Sequence, residues 1–338
     1  MTPRVAVVGL GMMGKNHVRS LTELGDVELV AVCDASDAAL KAVTSMHRIA
    51  AYRDHNEMFD RESLNAAVVA VPTGQHMEVA TDALRHGLHV LVEKPIAGTL
   101  EEGRALVDLA QREGRVLAVG HVERFNPAVV ELSRRVSRGE LGRVFQVHAS
   151  RQGPFPARVR DVGVVVDLAT HDLDVIGHIV GSEIERLYAE TEQRIHTEHE
   201  DLLNALLKFR NGAVGVVQVN WLTPTKIRLL SVLGEKGLFV ANYLTQELTY
   251  FRNADVGGVS EGDMTRLPVE EAEPLKLELR SFLESVATGR PAEVDGEAGL
   301  RALQLALAVV ASASEHRAIT GDELNRMMIP KPARREGR

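Results

Sequence analysis

With 338 residues the chain is longer than one hydrophobic core usually serves, so two domains are the better expectation. Its 45% hydrophobic and 25% charged residues exclude a disordered or fibrous protein, and a formal net charge of −8 excludes an overall basic field for nucleic acid or anionic lipid. The single cysteine, Cys33, excludes an internal disulfide and any cysteine-cluster metal site, and no segment reads as a signal peptide or membrane span, so a cytoplasmic protein is expected.

Residues up to about 120 alternate short β-branched runs with amphipathic stretches. Strands are predicted at Val5–Val8, Val27–Cys33, Ala66–Val71, His89–Val92 and Val116–Gly120. Helices are predicted between them at Met13–Leu24, Ala38–Met46, Met77–His86 and Leu100–Glu113. This is a βαβ series, which implies a parallel sheet wrapped by helices. From Val144 the run Val-Phe-Gln-Val-His-Ala-Ser alternates apolar and polar residues, as a half-exposed strand does. Further strands are expected at Ile184–Ile195, Leu202–Phe209, Gly215–Val219, Arg228–Leu233, Gly237–Asn242 and Glu247–Phe251, and the short turns between them suit antiparallel pairing. After a glycine-rich loop at Ala254–Gly262, two helices follow at Pro274–Thr288 and Glu297–Glu315, and the charged tail 331–338 is expected to fray. The fold class is therefore α/β, with a doubly wound parallel sheet followed by an α+β domain whose open sheet is mainly antiparallel.

The first strand runs directly into Gly9-Leu10-Gly11-Met12-Met13-Gly14. In the spacing Gly-x-Gly-x-x-Gly, the first glycine permits the tight turn, the second lets the backbone approach a pyrophosphate, and the third lets helix and strand pack closely. Asp34 ends the second strand twenty positions after Gly14, where a carboxylate can accept from ribose hydroxyls. Ala35 and Ser36 follow it, so a ribose 2′-phosphate would meet a carboxylate with no adjacent arginine. NAD is the expected cofactor rather than NADP.

Three later segments carry polar groups at strand ends or on one helix face: Pro72-Thr73-Gly74-Gln75-His76, Glu93-Lys94-Pro95 and Asp167-Leu168-Ala169-Thr170-His171. Open parallel sheets bind ligands at the carboxyl ends of their strands, which puts Pro72, Thr73, His76, Glu93 and Lys94 beside the cofactor crevice. Taken singly, Lys94 also suits a solvated surface, His76 a helix cap, and Asp167 with His171 a local pair one helical turn apart. A histidine titrates near neutral pH and suits a base, and a lysine suits stabilisation of an alkoxide.

Taken together with the fingerprint, these segments resemble the glucose–fructose oxidoreductase, inositol dehydrogenase and rhizopine-catabolism (Gfo/Idh/MocA) family from Val5 to about Thr320. The resemblance implies a Rossmann domain over 1–122 and a substrate-binding and oligomerisation domain over 123–330, with the helix near 297–315 placed to pack back on the first. It also implies that Lys94, Asp167 and His171 line the catalytic site, and that Lys94–Pro95 is a cis peptide. One departure is Val164-Val165-Val166 where relatives often carry glycines, which bears on where the catalytic helix starts. The segments Gly120–Pro127, Arg151–Arg158 and Asn220–Lys226 are similar to members acting as UDP-N-acetylglucosamine 3-dehydrogenases. On that likeness Arg124, Asn126, Arg151, Arg158 and Lys226, with Arg160, would meet a nucleotide-sugar substrate, the arginines and lysine facing its diphosphate.

The expected reaction is hydride transfer between NAD and a secondary alcohol of a sugar ring, at C3 of a nucleotide sugar such as UDP-N-acetylglucosamine. The alternatives are an inositol or other polyol dehydrogenase or a 3-ketosugar reductase of the same family, and, in another class, a catalytically idle NAD(H) sensor. No metal is expected, since His196, Glu198 and His199 form no recognised ligand pattern. The partners expected are a small-molecule sugar and further copies of the chain, as a homodimer or homotetramer.

Overall fold

The computed structural model describes residues 2–156, 162–195, 198–254 and 262–328. In its first half β1 (Arg4–Val8), α1 (Met12–Leu24), β2 (Glu28–Cys33), α2 (Asp37–Thr44), β3 (Ala50–Tyr52), α3 (His55–Arg61), β4 (Ala66–Val69), α4 (His76–Arg85), β5 (His89–Glu93), α5 (Leu100–Arg112) and β6 (Leu117–Gly120) follow one another. The six strands are parallel in the order β3-β2-β1-β4-β5-β6, the doubly wound Rossmann arrangement. Both faces of this sheet are covered, and period-2 alternation divides its side chains. Ala6 and Val8 enter one apolar cluster, whereas Val5 and Val7 enter the other.

Sequence periodicity misses β3 and α3. The strand is three residues long, too short for alternation to register, and α3 declares itself mainly through Asp54, whose side chain caps the Glu57 amide. β4 also stops at Val69 rather than Val71, since the chain must turn there to bring Pro72 and Thr73 to the sheet edge.

The second half contains α6 (Pro127–Ser137), β7 (Val144–Pro154), α7 (Thr170–Val180), β8 (Ile184–Glu192), β9 (Leu202–Phe209), β10 (Val214–Asn220), β11 (Leu222–Gly234), β12 (Gly237–Asn242), β13 (Glu247–Arg252), β14 (Met264–Leu267), α8 (Pro274–Thr288), α9 (Gly296–Glu315), β15 (Ile319–Thr320) and α10 (Gly321–Met327). Its sheet runs β14-β13-β12-β11-β7-β10-β9-β8-β15. Every neighbouring pair is antiparallel except β7 with β10. β8 ends at Glu192, short of the expected Ile195, because the buried Asp201 carboxylate accepts the Arg194 and Ile195 amides at 2.5–3.1 Å and turns the chain.

One face of this sheet buries Val147, Ala205, Val217, Leu230 and Phe239 under α6, α7 and α9. The last helices then return to the first sheet. α8 lays Leu275, Leu279 and Phe282 on one of its faces, and α9 sets Leu300 and Leu303 on the other. Residues 274–315 are thus shared between the two sheets, and Gly103 of α5 shows how closely, since a Cβ there would stand 2.8 Å from Leu300.

Candidate active site

The carboxyl ends of β1, β2, β4, β5 and β6 share one edge of the parallel sheet, which gathers the fingerprint, Asp34, Thr73, Lys94 and His121. The three glycines have separate physical duties. Gly9 has φ +91°, and a Cβ on it would stand 2.5 Å from the Ala70 carbonyl oxygen. A Cβ on Gly14 would meet the Gly9 carbonyl at 1.8 Å, whereas one on Gly11 would meet nothing within 4 Å. Gly9 and Gly14 close the turn, and Gly11 leaves open space at the N-terminus of α1, beside the exposed Met12. That is the shape and polarity a pyrophosphate needs.

Asp34 is oriented by two backbone amides, Leu10 at 2.6 Å and Ser36 at 2.8 Å. Arg53, after β3, reaches the same strand end, 3.4 Å from the Ala35 carbonyl and 3.5 Å from Asp37. Sequence order conceals that arginine because β3 lies between it and Asp34.

Lys94 follows β5 and precedes a cis bond to Pro95, as expected. Its Nζ donates to the main-chain carbonyl of Asp167 at 2.7 Å and stands 3.4 Å from the Asp167 carboxylate. Asp167 lies in a π-turn over Val165–Ala169 that runs directly into α7. The three valines therefore leave the helix intact and set a π-turn at its start, a feature often found at functional sites. Gly163 remains where contact is closest, since a Cβ there would overlap the Glu200 carboxylate.

His171 sits in the first turn of α7, with Nδ1 sealed from solvent and unpartnered, so that Nε2 is the ring nitrogen open to a ligand. Burial, with the cations Lys94, Arg151 and Arg228 around it, holds its pKa well below the ordinary histidine value. The ring is therefore neutral at neutral pH, as a base must be.

Other expected site residues are occupied internally. His76 is buried, its ring nitrogens 2.8 Å from the Pro95 carbonyl and 3.0 Å from that of Val71. Burial depresses its pKa, so the neutral ring donates to one of the two and buttresses the turn behind Lys94. Glu93 is likewise buried, 2.7 Å from His17 Nε2. Burial opposes its charge, but His17 and Lys94 hold its pKa below the ordinary glutamate value.

The expectation that Arg124, Asn126 and Arg151 offer free groups to a substrate is corrected by their partners. Arg124 grips Asp174 with two bonds of 2.6 Å, and Arg151 joins Asp172 at 2.8 and 3.1 Å and Glu123 at 2.6 Å. Burial works against the Arg151 charge, yet these two carboxylates keep its pKa well above the ordinary arginine value. Asn126 caps α6 and donates to the Tyr243 carbonyl. Their polar groups are spent because each ties α6, α7 or β7 to its neighbours, contacts invisible in linear order. Lys226 is exposed on β11, while Arg158, with Arg160 and His196, lies outside the described residues.

Two residues not singled out before enter the site. Arg228 is half-buried, bonds the Gln152 carbonyl at 2.5 Å, and has no carboxylate within ion-pair distance among the described residues. His121, after β6, faces His171. His121 lies in the segment Gly120–Pro127 already noted for its likeness, but nothing there marked the histidine itself, and Arg228 lies outside the segments noted for that likeness; strand pairing brings both in.

A glycine turn open at a helix N-terminus, a carboxylate fixed at the end of the next strand and a lysine near a neutral histidine are the features of an NAD-binding oxidoreductase. The chain belongs to the Gfo/Idh/MocA family. Residues 3–121 match the family model described as an oxidoreductase family with an NAD-binding Rossmann fold, and residues 129–240 match the GFO/IDH/MocA C-terminal domain. UDP-N-acetylglucosamine 3-dehydrogenase of Acidithiobacillus ferrooxidans is 28% identical over 308 residues, spanning 90% of this chain and 96% of that protein. Myo-inositol 2-dehydrogenase of Thermotoga maritima is 25% identical over 332 residues, 95% of this chain and 99% of the relative. A solved structure of the Acidithiobacillus enzyme superposes with a TM-score of 0.84 at 26% identity, covering 96% of this chain and 99% of that one. No helix among the described residues is long and apolar enough to cross a membrane.

Proposed function

We propose that the chain oxidises a ring secondary alcohol of a sugar, with the C3 hydroxyl of a UDP-N-acetylglucosamine-type nucleotide sugar as substrate. The observation that carries this reading is the neutral His171 one helical turn from Asp167, whose backbone and side chain hold the Lys94 ammonium. NAD, when bound along Gly9–Gly14 and Asp34, supplies the hydride acceptor. The hydroxyl proton passes to His171 Nε2, and Lys94 donates to the oxygen as negative charge develops on it. Asp167 orients Lys94 and accepts from a neighbouring hydroxyl. Arg228 and the exposed Lys226 are the cations available to a diphosphate, in place of the neutralised Arg124 and Arg151.

A second reading, oxidation of a free inositol, is favoured by that neutralisation and by the equally extensive likeness to an inositol dehydrogenase. Reduced-cofactor formation with UDP-N-acetylglucosamine and with myo-inositol, in parallel, separates the two. His171→Ala should lose about 10²–10⁴ in turnover on the active substrate while its NAD affinity stays near that of the parent. Near-normal turnover would remove His171 as base, and NAD binding without turnover on any polyol would favour a sensor.

A further inference from the structure

The histidine after β6 is the least satisfied polar group at the site. His121 is 1% exposed, and neither ring nitrogen has a hydrogen-bond partner. Such a group costs stability that an apolar side chain of similar size would not, which makes its position informative. Gly120 pairs with Glu93 across β5 and β6, so His121 stands beside Lys94 at the same sheet edge. Its ring centroid is 6.1 Å from that of His171 with the planes at 84°. Its Nδ1 lies 4.0 Å from an Asp174 oxygen, in a carboxylate fixed by Arg124. The charged or titratable groups facing it are Asp174 and His171 from α7, Arg124 from the turn before α6, and Glu93 and Lys94 from the end of β5.

A neutral imidazole carries one proton. For His171 to accept a second at Nε2, the first must sit on Nδ1, and the nitrogen bearing it is the one sealed and unpartnered. We propose that His121 is a positioning residue for the reaction: it accepts the Nδ1–H of His171 and thereby keeps the Nε2 lone pair toward the substrate hydroxyl. The rings are too far apart for a direct bond, so a single bridging water carries it. When the hydroxyl proton arrives at Nε2, His171 keeps both protons and becomes cationic. Its bond to His121 then strengthens, and the Asp174 carboxylate behind His121 offsets the charge. No proton leaves the pair during the step. The inference rests on His171 as base but not on which sugar is used.

The test reads the tautomer directly, by ¹⁵N NMR of histidine-labelled full-length protein with NAD, the His171 signals being assigned by their loss in His171→Gln. The parent should show His171 protonated at Nδ1 and bare at Nε2, and His121→Phe should shift it toward the Nε2–H form. With UDP-N-acetylglucosamine as probe, His121→Phe should lower kcat by about 10²-fold with KM little changed. His121→Asn, whose amide oxygen can accept the same bond, should recover part of the loss. Unaltered NAD affinity shows that each variant is folded, and His121→Leu replaces the phenylalanine variant if that one does not bind NAD. An unchanged His171 tautomer without the His121 ring would overturn the proposal, as would equal losses in the Phe and Asn variants. Absence of turnover on the probe in the parent would reject the substrate reading and leave the tautomer result to decide the role of His121.

Discussion

Asp34 is held by the Leu10 and Ser36 amides at the end of β2, where we propose that the adenosine ribose lies. A 2′-phosphate there would face a like charge at a cost of about 1–3 kcal/mol, and titration should show NAD binding roughly 10–100-fold more tightly than NADP. Asp34→Ser should narrow that gap, and Arg53 at the same strand end should then assist the phosphate. Equal affinities in the parent would refute the role of Asp34. Glu278 on α8 poses the opposite question, since it is fully buried with neither oxygen partnered. Burial, reinforced by Glu93, raises its pKa well above the ordinary glutamate value. The folded protein therefore keeps a proton that the unfolded chain releases above a pKa of about 4.3. That contribution is fully present below this pH and is lost as pH rises toward the folded value. Glu278→Gln should gain on the parent by up to about 1.4 kcal/mol per pH unit through that window, read from denaturant midpoints at several pH values. A pH-independent difference between the two would show that Glu278 ionises normally.

α1 illustrates how one element couples packing to ligand binding. Its third residue, Gly14, sits against the Gly9 carbonyl, and its buried face presents Val18, Leu21 and Leu24 to the sheet. Gly14→Ala would force helix and turn apart, with a stability loss of about 1–3 kcal/mol. NAD affinity should fall further than the melting temperature suggests, because the amides aimed at the pyrophosphate move with the helix. Calorimetric binding beside thermal unfolding checks this, and unchanged affinity would mean that the turn absorbs the methyl. The α7 entrance works by a different device. Its π-turn at Val165–Ala169 brings the Asp167 carbonyl within 2.7 Å of Lys94, so that one helix start fixes the lysine and the histidine together.

The outer face of the nine-stranded sheet is unusually apolar for a surface. Strand pairing sets Tyr188, Leu206 and Val216 in one cross-strand row, and Leu233, Leu238 and Phe251 in another. Leu206 is 54% exposed. Patches of this kind mark association surfaces, so the chain should sediment as a dimer or tetramer at micromolar concentration. Leu206→Glu should shift it toward monomer, and a monomeric parent would reject this use of the face.

Local sequence was enough to specify the βαβ order, the glycine turn with Asp34 after it, and the alternating strands of the second sheet. These depend on side-chain period, chain stiffness and the left-handed freedom of glycine, which act between near neighbours. The likeness of Lys94, Asp167 and His171 to a family pattern was also legible, because their types and spacings lie in short segments. What surrounds those residues was not. Arg124 and Arg151 look in linear order like free cations, yet carboxylates 50 and 21 positions away neutralise them. His76 and Glu93 turn inward onto Pro95 and His17, whereas Arg228 and His121 reach the site only through strand pairing. Charge and hydrogen-bond satisfaction depend on distance in space rather than along the chain, so the backbone plan follows from local chemistry while the electrostatics of the site had to await the packed structure.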